Sequence, residues 1–217
     1  MLRPTKQLVA AIAAGVITLL LFELTNWDIC IQRLFFDARS SQWLVDVDNP
    51  LTRLLFYDGP KKAVILLALL LIAALLVVRG EQRRGIALAL ICLLSVPLIV
   101  ASLKAGTNMP CPRAVTEFGG TVPAIKVFSS YPQDAVPTAR QRCFPAGHAS
   151  GGYALMGLMF LFTKRQYRRA AAGFAVAAGT TMGGYKMLIG DHFVSHTLIT
   201  FCITWAIVSL LSRWEHN

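Results

Sequence analysis

The chain contains six long apolar runs, and these runs constrain its fold more than any other feature of the sequence. They cover residues 8–24, 63–78, 85–103, 149–162, 170–185 and 193–212. A helix needs about 20 apolar residues to cross the hydrocarbon core of a bilayer, so the fourth and fifth runs must extend into flanking residues. A soluble domain rarely has 55% hydrophobic and only 15% charged residues. We therefore expect an all-α fold, a polytopic membrane helix bundle with six transmembrane helices.

The basic residues between the runs predict how the bundle is oriented. Three polar segments, at the start of the chain and after the second and fourth runs, carry Arg3, Lys6, Arg79, Arg83, Arg84, Lys164, Arg165, Arg168 and Arg169. Because Lys and Arg are retained on the cytoplasmic side, these segments and both termini are expected there. The same distribution accounts for the net charge of +10. Since the sequence has no basic stripe with interleaved aromatic residues, we expect no nucleic-acid partner.

The segment between the first two runs, residues 25–62, carries two apolar clusters. The clusters consist of Trp27, Ile31, Leu34 and Phe35, at helical spacing, and of Leu51, Leu54, Leu55 and Tyr57. We interpret both as interfacial helices on the outer leaflet, where an amphipathic face meets the lipid headgroups. Packing of this segment against the helix bundle is the alternative interpretation.

Charged and titratable residues gather near the ends of the runs on the outer side. The set comprises Lys104, Arg113, His148, Lys186, Asp191 and His192. His148 follows Pro145, which suits the first turn of a helix, and Gly147, which lets a ligand approach the backbone. The free N–H groups of a helix start favour an anion, and His148 can give or take a proton near neutral pH. Ionisable groups at membrane depth are functional candidates, and this set predicts phosphate chemistry.

Two of the five cysteines, Cys111 and Cys143, lie in the outer loop on either side of these candidates. If the outer side is oxidising, a disulfide between them would restrict the conformations of the loop. Cys92 and Cys202 fall inside apolar runs, where cysteine serves as a small apolar residue. Cys30 is then left unpaired.

The site candidates resemble the three boxes of the type 2 phosphatidic acid phosphatase (PAP2) superfamily, which also includes vanadium haloperoxidases and glucose-6-phosphatase-like enzymes. The family boxes are Lys-x6-Arg-Pro, Pro-Ser-Gly-His and Ser-Arg-x5-His-x3-Asp. Their counterparts here are Lys104 followed by Cys111-Pro112-Arg113, then Pro145-Ala146-Gly147-His148, then Tyr185-Lys186-x5-His192. The resemblance covers residues 104–196, the site-bearing part of what we expect to be a single membrane domain of residues 1–217.

Each of the three boxes departs from the family pattern at one residue that would bind the phosphate. Arg113 comes two residues later than the family arginine, so this cation is Arg113 or is supplied by Arg140 or Arg142. Ala146 replaces a serine that would donate to the phosphate. Lys186 replaces an arginine, which exchanges a bidentate fork for a point charge.

The third box also departs from the pattern at the partner of the nucleophilic histidine. His196 stands where the family has the aspartate that orients this histidine. A histidine can accept a hydrogen bond but brings no negative charge. Asp191 is adjacent in sequence and is expected to point to a different helix face. Asp134 or Glu117 in the outer loop could take the orienting role instead.

The resemblance implies a metal-independent phosphatase that needs no cofactor. His192 would attack phosphorus to form a phosphohistidine, and His148 would protonate the departing oxygen. The phosphoryl oxygens would be held by Lys104, Arg113, Lys186 and the N–H of Gly147. The expected substrate is a lipid with a phosphate or pyrophosphate headgroup. The expected location is the inner membrane of a bacterium, with the active site facing the periplasm.

Other functions could use some of these residues. A lipid phosphotransferase would move the phosphoryl group to a second lipid instead of water. A haem-binding membrane electron carrier would use His148, His192 and His196 as axial ligands. An intramembrane serine protease would use Ser150, but His148 occupies a glycine position of the Gly-x-Ser-Gly motif. The phosphatase is favoured because cations accompany the histidines at one membrane face.

Overall fold

A computed structural model describes residues 4–215, so Arg3 and both chain ends lie outside the described part. Within it, the helices are α1 (Pro4–Leu24), α2 (Trp27–Gln32), α3 (Pro50–Val77), α4 (Glu81–Gly106), α5 (Gly147–Ala154), α6 (Arg165–Leu188) and α7 (Val194–Glu215). Shorter 3-10 turns cover Arg33–Phe35, Pro112–Ala114, Thr116–Phe118 and Gln133–Ala135, and Leu155–Leu161 continues α5. The two-residue strands β1 (Phe36–Asp37) and β2 (Gln42–Trp43) pair as an antiparallel hairpin. Apart from this hairpin, the expected helical fold is confirmed.

Four of the helices, α1, α3, α4 and α7, are long and apolar enough to cross a membrane. Their outer surfaces expose large apolar side chains, such as Ile17, Leu76 and Leu98, that water would not favour. Helix α5 is shorter, with eight residues of α-helix and seven of 3-10 helix. Helix α6 combines a basic start with many small residues. The structure therefore supports a membrane protein with four strongly apolar helices, and the six crossings stay a prediction.

Helix α5 lies inside the bundle, where it contacts α4, α6 and α7, while α1 packs along α7. The contact between α5 and α6 depends on two glycines. A Cβ on Gly152 would lie 2.6 Å from the Cα of Gly179, and a Cβ on Gly179 would lie 2.2 Å from the ring of Tyr153. Such close contacts between small residues are typical of helices in membranes. They bring the start of α5 near the end of α6.

The segment between α1 and α3 packs against the bundle, which is the alternative that the sequence left open. Helix α2 is only six residues long, and its Asp28 and Gln32 are buried. In the hairpin, the ring of Trp43 contacts those of Phe36 and Phe118, with centroid distances of 4.9 Å and 5.4 Å. The hairpin is therefore part of an aromatic cluster beside the loop that leads to α5.

The second apolar cluster of this segment does not form a separate interfacial helix. It is the beginning of α3, which runs unbroken from Pro50 to Val77. Asn49 starts the helix, because its side chain accepts hydrogen bonds from the N–H groups of Leu51 and Thr52. Residues Leu54–Asp58 of α3 form a π-helical turn, a local widening that recurs at functional sites.

The basic turns and the site candidates lie at opposite ends of the helices. At one end, Arg84 near the start of α4 donates to the carbonyl of Trp214 near the end of α7. Arg168 near the start of α6 pairs with Glu215 at the same end, with an N–O distance of 2.7 Å. The site candidates follow the other ends of α4 and α6 and precede α7. Helix packing thus separates the two groups of charges by the length of the bundle.

Candidate active site

One cavity of about 550 Å³ brings together most of the residues that the sequence predicts for the site. Its polar wall is formed by Lys104, Gly147, His148, Lys186, Asp191 and His192. These residues come from the end of α4, the start of α5, the end of α6 and the loop before α7. Four parts of the chain that are distant in sequence therefore meet around a single space.

The start of α5 places Gly147 and His148 in the cavity. Ala146 precedes the helix, and its N–H donates to the carbonyl of His196 at 3.2 Å, which ties the start of α5 to α7. The first N–H groups of a helix have no partner within it and are available to an anion. A Cβ on Gly147 would lie 3.8 Å from Nζ of Lys104, so the glycine keeps the space beside this ammonium group open.

A tight turn at the end of α6 positions His192. The N–H groups of Asp191 and His192 both donate to the carbonyl of Lys186, at 2.7 Å and 3.1 Å. Gly190 reverses the chain with φ of 75°, a conformation that favours glycine. A Cβ at this position would also lie 2.3 Å from the ring of Trp43. Glycine is therefore required here both by the backbone and by the hairpin that packs against it.

His192 faces a second histidine. Its Nδ1 lies 3.3 Å from Nδ1 of His196, which is fully buried behind it and does not line the cavity. The ring of His196 is held edge-on by Phe144 and Phe193, with centroid distances of 5.3 Å and 5.4 Å. His196 therefore takes the place beside His192 that the resemblance assigns to an aspartate. The other ring nitrogen of His192, Nε2, is left for the cavity.

The surroundings of His192 favour its neutral form. Burial is the largest cause and holds the pKa of His192 well below 6.5, its ordinary value. Positive charge on nearby groups acts in the same direction, and these groups are His196, Lys104, Lys186 and His148. The unprotonated imidazole is the form of histidine that can act as a nucleophile, and the environment favours this form of His192.

Asp191 connects two cations of the site. Its carboxylate lies 2.7 Å from Nζ of Lys186 and 2.9 Å from Nε of Arg113. Arg113 also donates to the carbonyl of Ile189 at 2.5 Å. Arg113 is therefore not on the cavity wall and reaches the site through Asp191. The Asp191 carboxylate pairs with these two cations, whereas Nδ1 of His192 lies beside Nδ1 of His196.

Four further residues that the sequence offers for the site lie elsewhere. Arg142 is exposed, and Arg140 donates to two carbonyls at the end of α4, at 2.6 Å and 3.2 Å. Asp134 is exposed, and Glu117 lines a separate cavity of about 340 Å³. Of the three arginine candidates, only Arg113 approaches the site, because a short 3-10 turn and the end of α6 hold it there.

A disulfide joins Cys111 and Cys143, whose Cα atoms are 5.2 Å apart. It ties the segment after α4 to the segment before α5, beside the cavity. Cys143, His192 and His196 offer three potential metal-ligand atoms within 4.8 Å of one another. The bridge withholds the thiolate that such a metal site would use, because the thiolate is the metal-binding form of cysteine.

Two buried polar residues of α2, neither of which was predicted from the sequence, bind the helix ends on either side of His192. The carboxylate of Asp28 accepts hydrogen bonds from the N–H and the hydroxyl of Ser195 at the start of α7, at 3.0 Å and 2.5 Å. The side-chain amide of Gln32 donates to the carbonyl of Met187 at the end of α6, at 2.8 Å. The available signal was their spacing, since two polar residues four apart share one helix face.

Helix α3 supplies a further wall, and of its residues Tyr57 was expected in an interfacial helix and Val64 and Ile65 in the second apolar run. It lines the cavity with residues at the spacing of one helix face: Tyr57, Lys61, Val64 and Ile65. The ring of Tyr57 stacks on that of His148, with centroids 4.5 Å apart and planes 19° apart. Nζ of Lys186 lies 4.0 Å from the centroid of the Tyr57 ring, a cation–π contact. Tyr57 thus contacts two site residues from different helices.

The family model of the PAP2 superfamily matches residues 85–217, the part of the chain that carries all three boxes. The chain belongs to the PAP2 superfamily. This PAP2 protein is also similar to a lipid A 4'-phosphatase of Francisella tularensis subsp. novicida (strain U112), with 26% identity over 198 residues that cover 87% of each chain. No solved structure matches it.

The match to the PAP2 family begins after α3. Asp28 of α2 and Tyr57 of α3 therefore lie outside the matched region, although both contact site elements within it. The cavity of this PAP2 protein is lined both by helices of the matched region and by the segment that precedes them.

Proposed function

We propose that the chain is a lipid phosphate phosphatase in which His192 forms a phosphohistidine. The observation that carries this proposal is the single cavity in which His192 and His148 meet Lys104, Lys186 and the N-terminal end of α5. Two proton-transferring or nucleophilic groups beside several anion-binding groups are what phosphoryl transfer requires. Membership of the PAP2 superfamily supports the same class of reaction.

The cavity wall supports a lipid substrate. Beyond its polar part it is apolar, with Val64 and Ile65 from α3 and Pro97 from α4. Ile65 is 51% exposed on a helix that is apolar enough to lie in a membrane. A lipid can therefore place its phosphorylated headgroup against the cations and its acyl chains along α3 and α4. Because the bacterial relative is named a lipid A 4'-phosphatase, a phosphorylated glycolipid of that kind is the first substrate to test.

In the first step, the lone pair on Nε2 of His192 attacks phosphorus while the P–O bond to the lipid breaks. The hydrogen of His192 stays on Nδ1 throughout, where it makes a hydrogen bond to Nδ1 of His196, 3.3 Å away. His148 gives a proton to the departing oxygen, so the lipid leaves as an alcohol. Lys104, Lys186 and the N–H groups of α5 stabilise the charge that spreads over the phosphoryl oxygens.

In the second step, water replaces the histidine on phosphorus. His148, now unprotonated, accepts a proton from the water whose oxygen attacks as the P–N bond breaks. Inorganic phosphate leaves, His192 is again neutral and His148 is again protonated. The positive charge comes from lysines and backbone N–H groups, so we propose that the reaction needs no metal.

We further propose that six segments cross the membrane, namely α1, α3, α4, α6, α7, and α5 together with its 3-10 continuation. Helix α6 has 24 residues, and at 1.5 Å per residue it is about 36 Å long, enough for a hydrocarbon core of about 30 Å. Its basic start and the basic turn after α3 would then face the cytoplasm. The cavity, at the other ends of the helices, would open at the periplasmic side of a bacterial inner membrane.

The experiment that tests the function measures phosphate release by the purified protein in detergent, with EDTA present. The substrates are lipid A, phosphatidate, phosphatidylglycerol phosphate and undecaprenyl pyrophosphate. The wild type is compared with His192→Ala and His148→Ala, and with Arg142→Ala as a control because Arg142 is exposed outside the cavity. We expect release by the wild type and the control, and loss by at least about 100-fold in both histidine variants. His148→Ala removes the general acid and base, and His192→Ala removes the nucleophile.

Two further outcomes would decide between the alternatives. Transfer of labelled phosphate to a second lipid, without release to water, would identify a phosphotransferase that uses the same residues. An acid-labile, alkali-stable phosphoprotein that forms in the wild type and is missing from His192→Ala would support the phosphohistidine. If neither release nor transfer occurs with folded protein and any of the four lipids, the proposed function is wrong.

A further inference from the structure

The π-helical turn of α3 presents a backbone carbonyl to the active site. In a regular α-helix the N–H of residue 60 would donate to the carbonyl of Phe56, but residue 60 is a proline and has no N–H. The carbonyl oxygen of Phe56 lies 3.0 Å from Nε2 of His148. Pro60, the eleventh residue of α3, therefore leaves this acceptor available to a histidine of another helix.

This contact determines which nitrogen of His148 carries a hydrogen. A carbonyl oxygen only accepts hydrogen bonds, so Nε2 of His148 must be the donor. The neutral imidazole then has a bare Nδ1. Nδ1 is therefore the nitrogen that can take a proton from water or, once protonated, give one to a departing oxygen.

The plane of the His148 ring is held as well. The ring of Tyr57 lies almost parallel to it, at 4.5 Å and 19°. The same turn is anchored to α6, because the ring of Phe56 stacks on that of Tyr185, with centroids 5.6 Å apart and planes 24° apart. Lys186, the next residue of α6, places its Nζ 4.0 Å from the centroid of the Tyr57 ring. The turn is thus attached to both the acid and a phosphate-binding cation of the site.

We propose that Phe56 and Tyr57, in the π-helical turn before Pro60, are positioning residues that set the tautomer and the ring plane of the general acid His148. The turn lies outside residues 85–217, so the active site includes a part of the chain that precedes the PAP2 match. This inference rests on the proposed function, because it assigns a task to the residue that protonates the leaving group.

The first test uses the dependence of the rate on the leaving group. A well-placed general acid matters for a poor leaving group such as an alkoxide and matters little for a good one such as p-nitrophenolate. We therefore compare decyl phosphate with p-nitrophenyl phosphate in the wild type and in Tyr57→Leu, Tyr57→Phe and Pro60→Ala. Pro60→Ala provides the missing N–H and favours regular α-helical bonding by the Phe56 carbonyl.

We expect Tyr57→Leu and Pro60→Ala to lower kcat for decyl phosphate by about tenfold or more, within the range of general acid catalysis, and to change kcat for p-nitrophenyl phosphate by less than about threefold. Tyr57→Phe keeps the aromatic face and should retain both rates. Leu55→Ala, at an exposed position of the same turn, is the matched control. Equal losses with both substrates would mean a general structural effect and would overturn the inference.

The second test does not depend on activity. The chain has four histidines, so ¹⁵N-histidine NMR in detergent can assign His148 through the signal that His148→Gln removes. We expect the Nε2–H tautomer in the wild type and a mixture of tautomers in Pro60→Ala. A wild type with this tautomer but no phosphatase activity would support the inference and refute the proposed function. Phosphate release by a wild type that shows both tautomers would support the proposed function and refute the inference.

Discussion

At the scale of single residues, the pairing of His192 with His196 distinguishes this site from one with a histidine–aspartate pair. A carboxylate beside a histidine favours the protonated imidazole, whereas a neutral histidine does not. The pKa of His192 is held well below 6.5 by burial first and then by the positive charges around it. His192 should therefore be neutral, and able to attack phosphorus, at and below pH 6.5.

The substitution His196→Asp tests this effect of charge. The new carboxylate should raise the pKa of His192, so the acid limb of kcat/KM moves to higher pH by about 1 unit or more. The wild-type limb is expected below pH 6.5, because protonation of His192 occurs below its ordinary value. The measurement is a pH profile of kcat/KM. His196→Asn, which has a similar shape and no charge, is the control, and identical profiles for the Asp and Asn variants would refute the prediction.

At the scale of elements, α2 is hydrogen-bonded to the end of α6 and to the start of α7. These two helix ends flank the loop that carries Asp191 and His192. Asp28 binds the start of α7 and Gln32 binds the end of α6, and both are buried. Burial raises the pKa of Asp28, while the two hydrogen bonds from Ser195 and the charge of Lys126 oppose the rise. Asp28 is a buried carboxylate whose two bonds fix the first turn of α7.

Removal of the Asp28 charge should loosen the start of α7. Hydrogen bonds to charged groups contribute about 1.5–3 kcal/mol each, so Asp28→Asn should lower the free energy of unfolding by about 2 kcal/mol. In a chain of this size that corresponds to a fall in Tm of about 4 °C or more. The check is thermal unfolding in detergent, with Asp48→Asn at an exposed carboxylate as control. Equal Tm values for the two variants would show that the contact of α2 with the start of α7 does not stabilise the protein.

At the scale of the whole molecule, the disulfide closes the long loop between α4 and α5. Cys111 and Cys143 are 32 residues apart in sequence. Cross-linking a loop of this length restricts the unfolded chain by about 4 kcal/mol in the chain-entropy description. The bridge therefore stabilises the molecule through the loop that connects α4 with α5.

Loss of the bridge should lower the stability of the whole protein. We expect the double variant Cys111→Ser, Cys143→Ser to unfold at a Tm lower by about 5 °C or more. Addition of a dithiol reductant to the wild type should have the same effect and should leave the double variant unchanged. Cys30→Ser, which removes an exposed free thiol, is the control. An unchanged Tm in the double variant would contradict this role of the bridge.

The proposed orientation can be tested by labelling single cysteines. In a Cys30→Ser background, Ser130→Cys and Gln166→Cys introduce thiols at two exposed positions, in the outer loop and at the start of α6. The cysteines at positions 92 and 202 are buried and should not react. A membrane-impermeant maleimide should label position 130 in intact cells and position 166 only after the inner membrane is opened. The reverse pattern would place the cavity on the cytoplasmic side.

Much of the fold and part of the site could be predicted from the sequence. Apolar runs and helix-start residues are properties of neighbouring positions, so the helices that carry Lys104, His148 and Lys186 were found. The boxes then indicated which residues meet. The position of Arg142 could not be predicted in this way, because the direction of its side chain depends on how the loop before α5 packs.

The sequence by itself determined the helical membrane class, the family and the residues proposed for the site, since hydropathy and motif spacing can be read along the chain. Only the tertiary structure decided which other parts of the chain hold these site residues in place. His148 meets the carbonyl of Phe56 across 92 residues, and Asp28 meets Ser195 across 167. Such contacts depend on how whole helices pack, and the residues that make them, a backbone carbonyl and a single acidic side chain, carry no motif.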